Sequence, residues 1–281
     1  NLSADYPVDK VLSYLENAQN MKVLVVGETI IDEYHYAEAL GSSSKEPILA
    51  TRYVTAKQFA GGVLAVANHM ANFCGQVDVL TMLGDQNSQE DFVRQNLNPK
   101  VTPNFIFKAD SPTIVKRRYV ENYLLRKLFE VYFMNDRELN DRQDHELCRE
   151  LSKLVCNYDL VVVTDYGHGM ITEKARGILS NDSLFLAVNT QANASNRGFN
   201  TMAKYQSADL ASLTRYEIAL EERNKPGEIR DMALNLSRKL GGAQVIVTLG
   251  KDGNLCYRES DGFSTAPALA DRIVDTMGAG D

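Results

Sequence analysis

A chain of 281 residues, 44% hydrophobic and 24% charged, can bury one large α/β core or two small ones. Its net charge of −7 argues against nucleic acid as a default partner, and no apolar run approaches the length of a membrane span. Four cysteines without metal-type pairing and four histidines without zinc or triad spacing argue against a disulfide framework, a zinc site and a hydrolase, and fit a cytoplasmic protein without a signal peptide.

Residues 1–21 read as a leading helix or linker. Pro7 sits near its first turn, and Val8, Val11, Leu12 and Leu15 recur at helical spacing. The first strand is Lys22-Val23-Leu24-Val25-Val26, a β-branched run of the kind found in buried parallel strands. Further strands are predicted over Val77–Leu83, Leu160–Thr164, Leu184–Val188 and Val245–Leu249, with helices near 63–74, 88–97, 141–156, 172–180 and 227–240. This alternation predicts a doubly wound, mostly parallel α/β sheet. Two stretches, 33–59 and 104–134, break the pattern. They are rich in β-branched and aromatic residues and predict a small antiparallel sheet beside the main one.

Several residues fall where such a fold places ligands. Asp32 follows the first strand, where a carboxylate can accept hydrogen bonds from hydroxyls; Gly27 alone at this turn disfavours a dinucleotide fingerprint. Gly61 and Gly62 permit close backbone approach or simply begin a helix. Lys116 and Arg118 share one face of a strand and could grip a phosphate, or form the charged outer face of an edge. Asp165 ends a buried strand. The run Asp275-Thr276-Met277-Gly278-Ala279-Gly280-Asp281 exposes backbone N–H groups that suit an anion, and Asp281 within it suits proton removal from an attacking hydroxyl.

That last run resembles the signature of ribokinase-like (PfkB-type) sugar kinases. Pro112-Thr113-Ile114-Val115-Lys116-Arg117-Arg118, together with Arg126 and Asp165-Tyr166-Gly167-His168-Gly169, is similar to heptose-7-phosphate kinases, the kinase half of ADP-heptose synthases. The resemblance implies an ATP- and Mg²⁺-dependent sugar or sugar-phosphate kinase over residues 22–281, with a β-sheet lid that covers the sugar and joins two subunits. By it, Asp281 is the base and Gly278, Ala279 and Gly280 form the anion hole. Asp32, Gly61, Gly62, Asn68, Lys116, Arg118, Arg126 and Asp165 bind substrate. Thr248, Gly250 and Gly253 hold the nucleotide with Asn189, Thr214 and Glu217, and Glu217 reaches Mg²⁺ through water.

Some positions depart from the family pattern. His168 replaces a Lys, Asn189-Thr190-Gln191 replaces Asp-Pro-Lys, and Thr214 replaces an Asn; Asn68 stands one turn after the usual Asn position. The amide-rich stretch of Asn189, Gln191, Asn193 and Asn196 suits a different ligand, or no phosphate. A kinase-like binding or dimerisation module of a larger protein is therefore the alternative. A start at Asn1 without Met, and an end at Asp281 where a helix is expected, predict a segment of a longer polypeptide. The resemblance implies a fused nucleotidyltransferase-type domain within it.

Overall fold

In a computed structural model, which describes residues 6–223 and 227–269, a single strand enters two sheets. Helix α1 (Val8–Ala18) precedes β1 (Lys22–Ser42). The first part of β1 pairs in parallel with β3 (Gln76–Gln86) and β7 (Leu160–Asp165). From Thr29 it pairs antiparallel with β2 (Leu49–Gly62), and from Ile30 in parallel with β5 (Ile114–Glu121).

The first part of β1 is covered on both faces. Val23 and Val25 pack with Val63, Leu64 and Val93, from α2 (Val63–Met70) and α3 (Glu90–Asn96). Leu24 and Val26 join a larger cluster with Leu147, Leu151 and Leu179, from α4 (Asp141–Leu154) and α5 (Glu173–Asp182). Alternate side chains enter opposite apolar layers, so the strand shows a continuous apolar run.

Among the described residues the main sheet has the spatial order β12 (Gly262–Ala266), β11 (Asn254–Arg258), β10 (Gln244–Thr248), β9 (Leu210–Thr214), β8 (Leu186–Thr190), β7, β1, β3 and β4 (Val101–Pro112). It is parallel from β10 to β4, and β11 and β12 turn antiparallel at one edge. Helices α6 (Arg215–Glu221) and α7 (Ile229–Lys239) link β9 to β10. The chain builds β3 and β4 on one side of β1, then returns to build β7 to β10 on the other. The crossover direction reverses between β1 and β7, and open α/β sheets bind ligands at the strand ends beside such a reversal.

The second sheet is the lid, in the order β2, β1, β5 and β6 (Lys127–Phe133). Three expectations need correction. The lid is mixed, because β1 and β5 run parallel. Phe105–Phe107 belongs to β4, at the edge of the main sheet, because β4 pairs with β3 as far as Pro112 and the chain joins the lid only with β5. Strands β9, β11 and β12 were not anticipated; they are five residues each, and β9 reads Leu-Ala-Ser-Leu-Thr, without a β-branched apolar run. The apolar stripe of α1 is exposed: Val8, Val11, Leu12 and Leu15 are all open to solvent. No helix among the described residues is long and apolar enough to cross a membrane.

Candidate active site

A cavity of about 270 Å³ opens where the reversal between β1 and β7 meets the lid. Ile30, Asp32 and Gly62 form one wall. Lys116 and Arg118 from β5, with Glu130 and Tyr132 from β6, form the lid side; Tyr166 and residues 191–194 close the far side. Strand register explains the grouping. Asp32 pairs with Lys116 and Lys116 with Tyr132; two residues along, Tyr34, Arg118 and Glu130 make the next row. Side chains two apart share a face, so both rows point the same way. A Cβ on Gly61 would stand 2.1 Å from Asp32 Oδ2, so the β2 backbone closes on that carboxylate only as glycine.

Within the cavity the charges are already paired. Arg118 Nη1 donates to Asp32 Oδ1, and Arg118 Nε donates to Glu130 Oε1 at 3.3 Å. The Tyr132 hydroxyl donates to Glu130 Oε2 at 2.5 Å. The Arg118 guanidinium stands 5.5 Å from the Tyr34 ring centroid, and Lys116 Nζ stands 5.5 Å from that of Tyr132. Burial opposes the charge on Arg118, but the hydrogen bond and charge of Asp32, then Glu130, outweigh it and raise its pKa. Burial, then the bond to Glu130, pushes the Tyr132 phenol up to about 12, so it remains a donor at neutral pH. Arg118, expected with Lys116 to grip a phosphate, has its guanidinium held by two carboxylates in the structure.

Behind the far wall lies a buried polar cluster. Asp165 is 1% exposed. Its Oδ2 accepts from Tyr205 Oη at 2.7 Å and pairs with Lys204 Nζ at 2.5 Å; its Oδ1 accepts the Gly167 N–H at 3.0 Å. Asp165 was expected to bind substrate; in the structure its carboxylate is engaged behind the wall, and its neighbour Tyr166 lines the cavity. Glu28 is fully buried and accepts the N–H groups of Tyr166 and His168, each at 3.0 Å. Burial, then the Asp165 charge, raises its pKa to about 7. Burial, then the Lys116 and Lys108 charges, drops the His168 pKa to about 3, so its imidazole is neutral. Neither His168 ring nitrogen has a hydrogen-bond partner among the described residues.

The amide-rich loop is also spent internally. Asn193 and Asn196 donate to the Tyr166 carbonyl at 2.8 and 2.7 Å, and Asn200 donates to the Asp165 carbonyl at 2.8 Å. Gly167 has φ +70°, and a Cβ there would meet Asn196 Nδ2 at 2.4 Å. These amides clamp the turn after β7, and Asn193 also lines the cavity.

Further along the main sheet, parallel register sets Thr214 opposite Thr248 and Asn189 opposite Ser212 at adjacent strand ends. Asn189 Nδ2 donates to the Ser212 carbonyl at 3.0 Å. Thr214 caps α6 and Glu217 completes the capping box: Glu217 Oε2 accepts from Thr214 N and Oγ1, each at 2.8 Å. Glu217 Oε1 accepts the Ala192 N–H at 3.0 Å. Oε2 thus has both lone pairs engaged, whereas Oε1 keeps one for a metal-bound water. No cluster of three or more metal-ligating side chains occurs among the described residues. This donor set fits Mg²⁺ carried mainly by nucleotide phosphates. Gly250 opens a 3₁₀ turn, Gly250–Asp252, and the Gly253 carbonyl accepts the Leu249 N–H at 2.8 Å.

Two predicted residues lie elsewhere. Asn68 donates to the Asn96 carbonyl at 2.8 Å and accepts the Asn98 N–H at 2.7 Å, so both ends of its amide secure the end of α3. One helical turn moved it off the cavity. Arg126 is exposed in the turn between β5 and β6. Gly278, Ala279, Gly280 and Asp281 lie outside the described residues. Glu130 and Tyr132 were missed, although their i, i+2 spacing in Leu128-Phe129-Glu130-Val131-Tyr132 was a usable signal. So was Glu28, a lone charge inside an apolar strand.

The pfkB family carbohydrate kinase model matches residues 20–281. "Bifunctional protein HldE" of Histophilus somni is 25% identical over 274 residues, covering 96% of this chain and 55% of the relative. The protein of the same name from Haemophilus influenzae is 24% identical over 272 residues, covering 95% and 55%. The chain thus spans about half the length of these curated relatives. Among solved structures, phosphofructokinase-2 from Escherichia coli superposes with a TM-score of 0.71 at 14% identity, covering 92% of this chain and 83% of that one. Ribokinase from Thermotoga maritima gives 0.68 at 18% identity, covering 92% and 82%. These likenesses establish a ribokinase-like fold.

Proposed function

Because the chain belongs to the pfkB family of carbohydrate kinases, we propose that it transfers the γ-phosphoryl group of ATP to a hydroxyl of a sugar or sugar phosphate of the heptose-phosphate kind. The observation that carries this reading is the polar cavity at the reversal between β1 and β7, with the lid on one side of it. ATP supplies the phosphoryl group, and Mg²⁺ screens its charge, when both are bound. Asp32 accepts hydrogen bonds from sugar hydroxyls. Asp281 takes the acceptor hydroxyl's proton as that oxygen bonds to the γ-phosphorus and the bond to the ADP oxygen breaks. The backbone N–H groups of residues 278–280 stabilise the charge on the transferring group. Thr214, Thr248, Gly250 and Gly253 border the nucleotide, with Glu217 beside the metal through water. Closure of the lid excludes water from the reaction.

The lid also pairs two subunits in this proposal. Its outward residues include Tyr53 and Phe129, each more than half exposed. The relatives' bifunctional name and double length support a fused nucleotidyltransferase-type domain. The test is ATP consumption by the full-length protein against a panel of sugars and sugar phosphates. Sugar-dependent ADP formation is expected; none with any panel member overturns the kinase reading. One observation favours a catalytically altered binding or dimerisation module instead: the amides and Glu217 are engaged within the chain. Ligand binding without turnover would select that reading.

A further inference from the structure

The lid side of the cavity holds Lys116, Arg118, Glu130 and Tyr132, with Asp32 facing them. Two cations meet two carboxylates, and the buried Arg118 guanidinium bridges both carboxylates. A phosphate dianion entering here would lie beside both carboxylates, which already hold two of the Arg118 N–H groups. Like charges in a partly desolvated site repel strongly. A neutral hydroxyl meets no such obstacle. It can donate to the remaining lone pairs of Asp32 and Glu130 while the ion pairs stay intact. Tyr132 holds Glu130 in place from the other side, at 2.5 Å.

We propose that Glu130 is a specificity-determining residue that sets this cavity against phosphate groups and toward the uncharged hydroxyls of a sugar. Glu130 acts as a resident anion on Arg118. The inference rests on the sugar-kinase reading and, of the two substrate classes that reading names, selects unphosphorylated sugars over sugar phosphates of the heptose-phosphate kind. Tyr132 is the positioning residue that keeps the carboxylate on Arg118.

The test uses the full-length protein and its Glu130→Gln and Tyr132→Phe variants, with inorganic phosphate as the probe, titrated by calorimetry at constant ionic strength. Glu130→Gln should bind phosphate about tenfold more tightly than wild type, the scale of one charged contact. Tyr132→Phe should shift the same way by less, and it carries the test if Glu130→Gln fails to fold. A purely structural role for Glu130 would lower the melting temperature without raising phosphate affinity. Equal phosphate affinity in the folded variants and wild type, including no measurable binding in any, overturns the proposal. So does a wild-type preference for phosphorylated over unphosphorylated members of the sugar panel. Phosphate binding needs no turnover, so a failed kinase reading and a failed role for Glu130 give different results.

Discussion

The two halves of β1 share one backbone and differ in what holds them. In the main sheet Leu24 is 0% exposed and is sandwiched between helical layers; in the lid Leu40 is 60% exposed and faces solvent. The first half is fixed by apolar burial on both sides. The second is fixed by strand pairing and by polar contacts over the cavity. Stability therefore concentrates in the floor of the site and selection in its roof.

The hardest test of that division is chemical. If the transfer step belongs to the sheet side, Asp281→Asn in the full-length protein should lower sugar phosphorylation by about 10²–10⁴-fold, the range for losing a general base. ATP binding, measured by calorimetry, should persist. An active Asp281→Asn protein would sink the mechanism.

Next comes the packing of the floor. Leu24→Ala should destabilise the fold by about 2–5 kcal/mol, because the surrounding layers cannot collapse into the space. Denaturant melts check this; a cost below that range would mean that the layers relax.

A smaller effect separates floor from roof by pH. The Glu28 pKa lies near 7 in the fold, above its ordinary 4.5, chiefly through burial and then Asp165. Asp165, Lys204, Lys108 and the Tyr166 and His168 amides are the charged and polar groups that act on it. A raised pKa means that the folded state holds the proton more tightly than the unfolded chain. Its stabilising contribution is full below about pH 4.5 and is lost as pH rises through about 7. Wild type should therefore lose stability between about pH 4.5 and about pH 7 more steeply than Glu28→Gln. The slope is the readout, because the amide offers one acceptor where the carboxylate offered two. Parallel slopes would remove Glu28 from the balance.

The smallest stability effect is expected on the roof. Replacing Tyr53 and Phe129 together by Ser should change subunit stability by only about 0.5 kcal/mol, as for exposed sites. The same pair should convert a dimer to a monomer in light scattering. A wild-type monomer at micromolar concentration would refute pairing through the lid.

The sequence made the floor more legible than the roof, for a physical reason. A strand buried on both faces must be apolar at every position, so Lys22–Val26 and Leu160–Thr164 announce themselves. The roof depends on which strands meet, and periodicity within a strand carries no information about that. Asp32, Lys116 and Arg118 were legible as cavity residues from their place at strand ends and on one face. That Arg118 is bound to Asp32 and Glu130 was not, because it depends on which strands pair, and Asp32 lies 86 residues from Arg118 in the chain. Asn68 failed for the opposite reason. A helical turn preserves direction around the axis but shifts position along it, and the shift brought Asn68 to the loop after α3.

The unbroken course of β1 also constrains how this protein can change over generations. Glu28, Ile30, Asp32 and Tyr34 keep one phase of a two-residue repeat from the floor into the roof. Insertion of one residue between Gly27 and Asp32 would reverse that phase for everything downstream. Asp32 would turn to the outer side and Ile31 or Glu33 would take its place over the cavity. Length drift is tolerable in the turn from Ser43 to Ile48, which joins β1 to β2 outside both sheets. New specificity in this lineage must then arise by substitution at the cavity-facing positions, while changes of length collect at the tip of the lid.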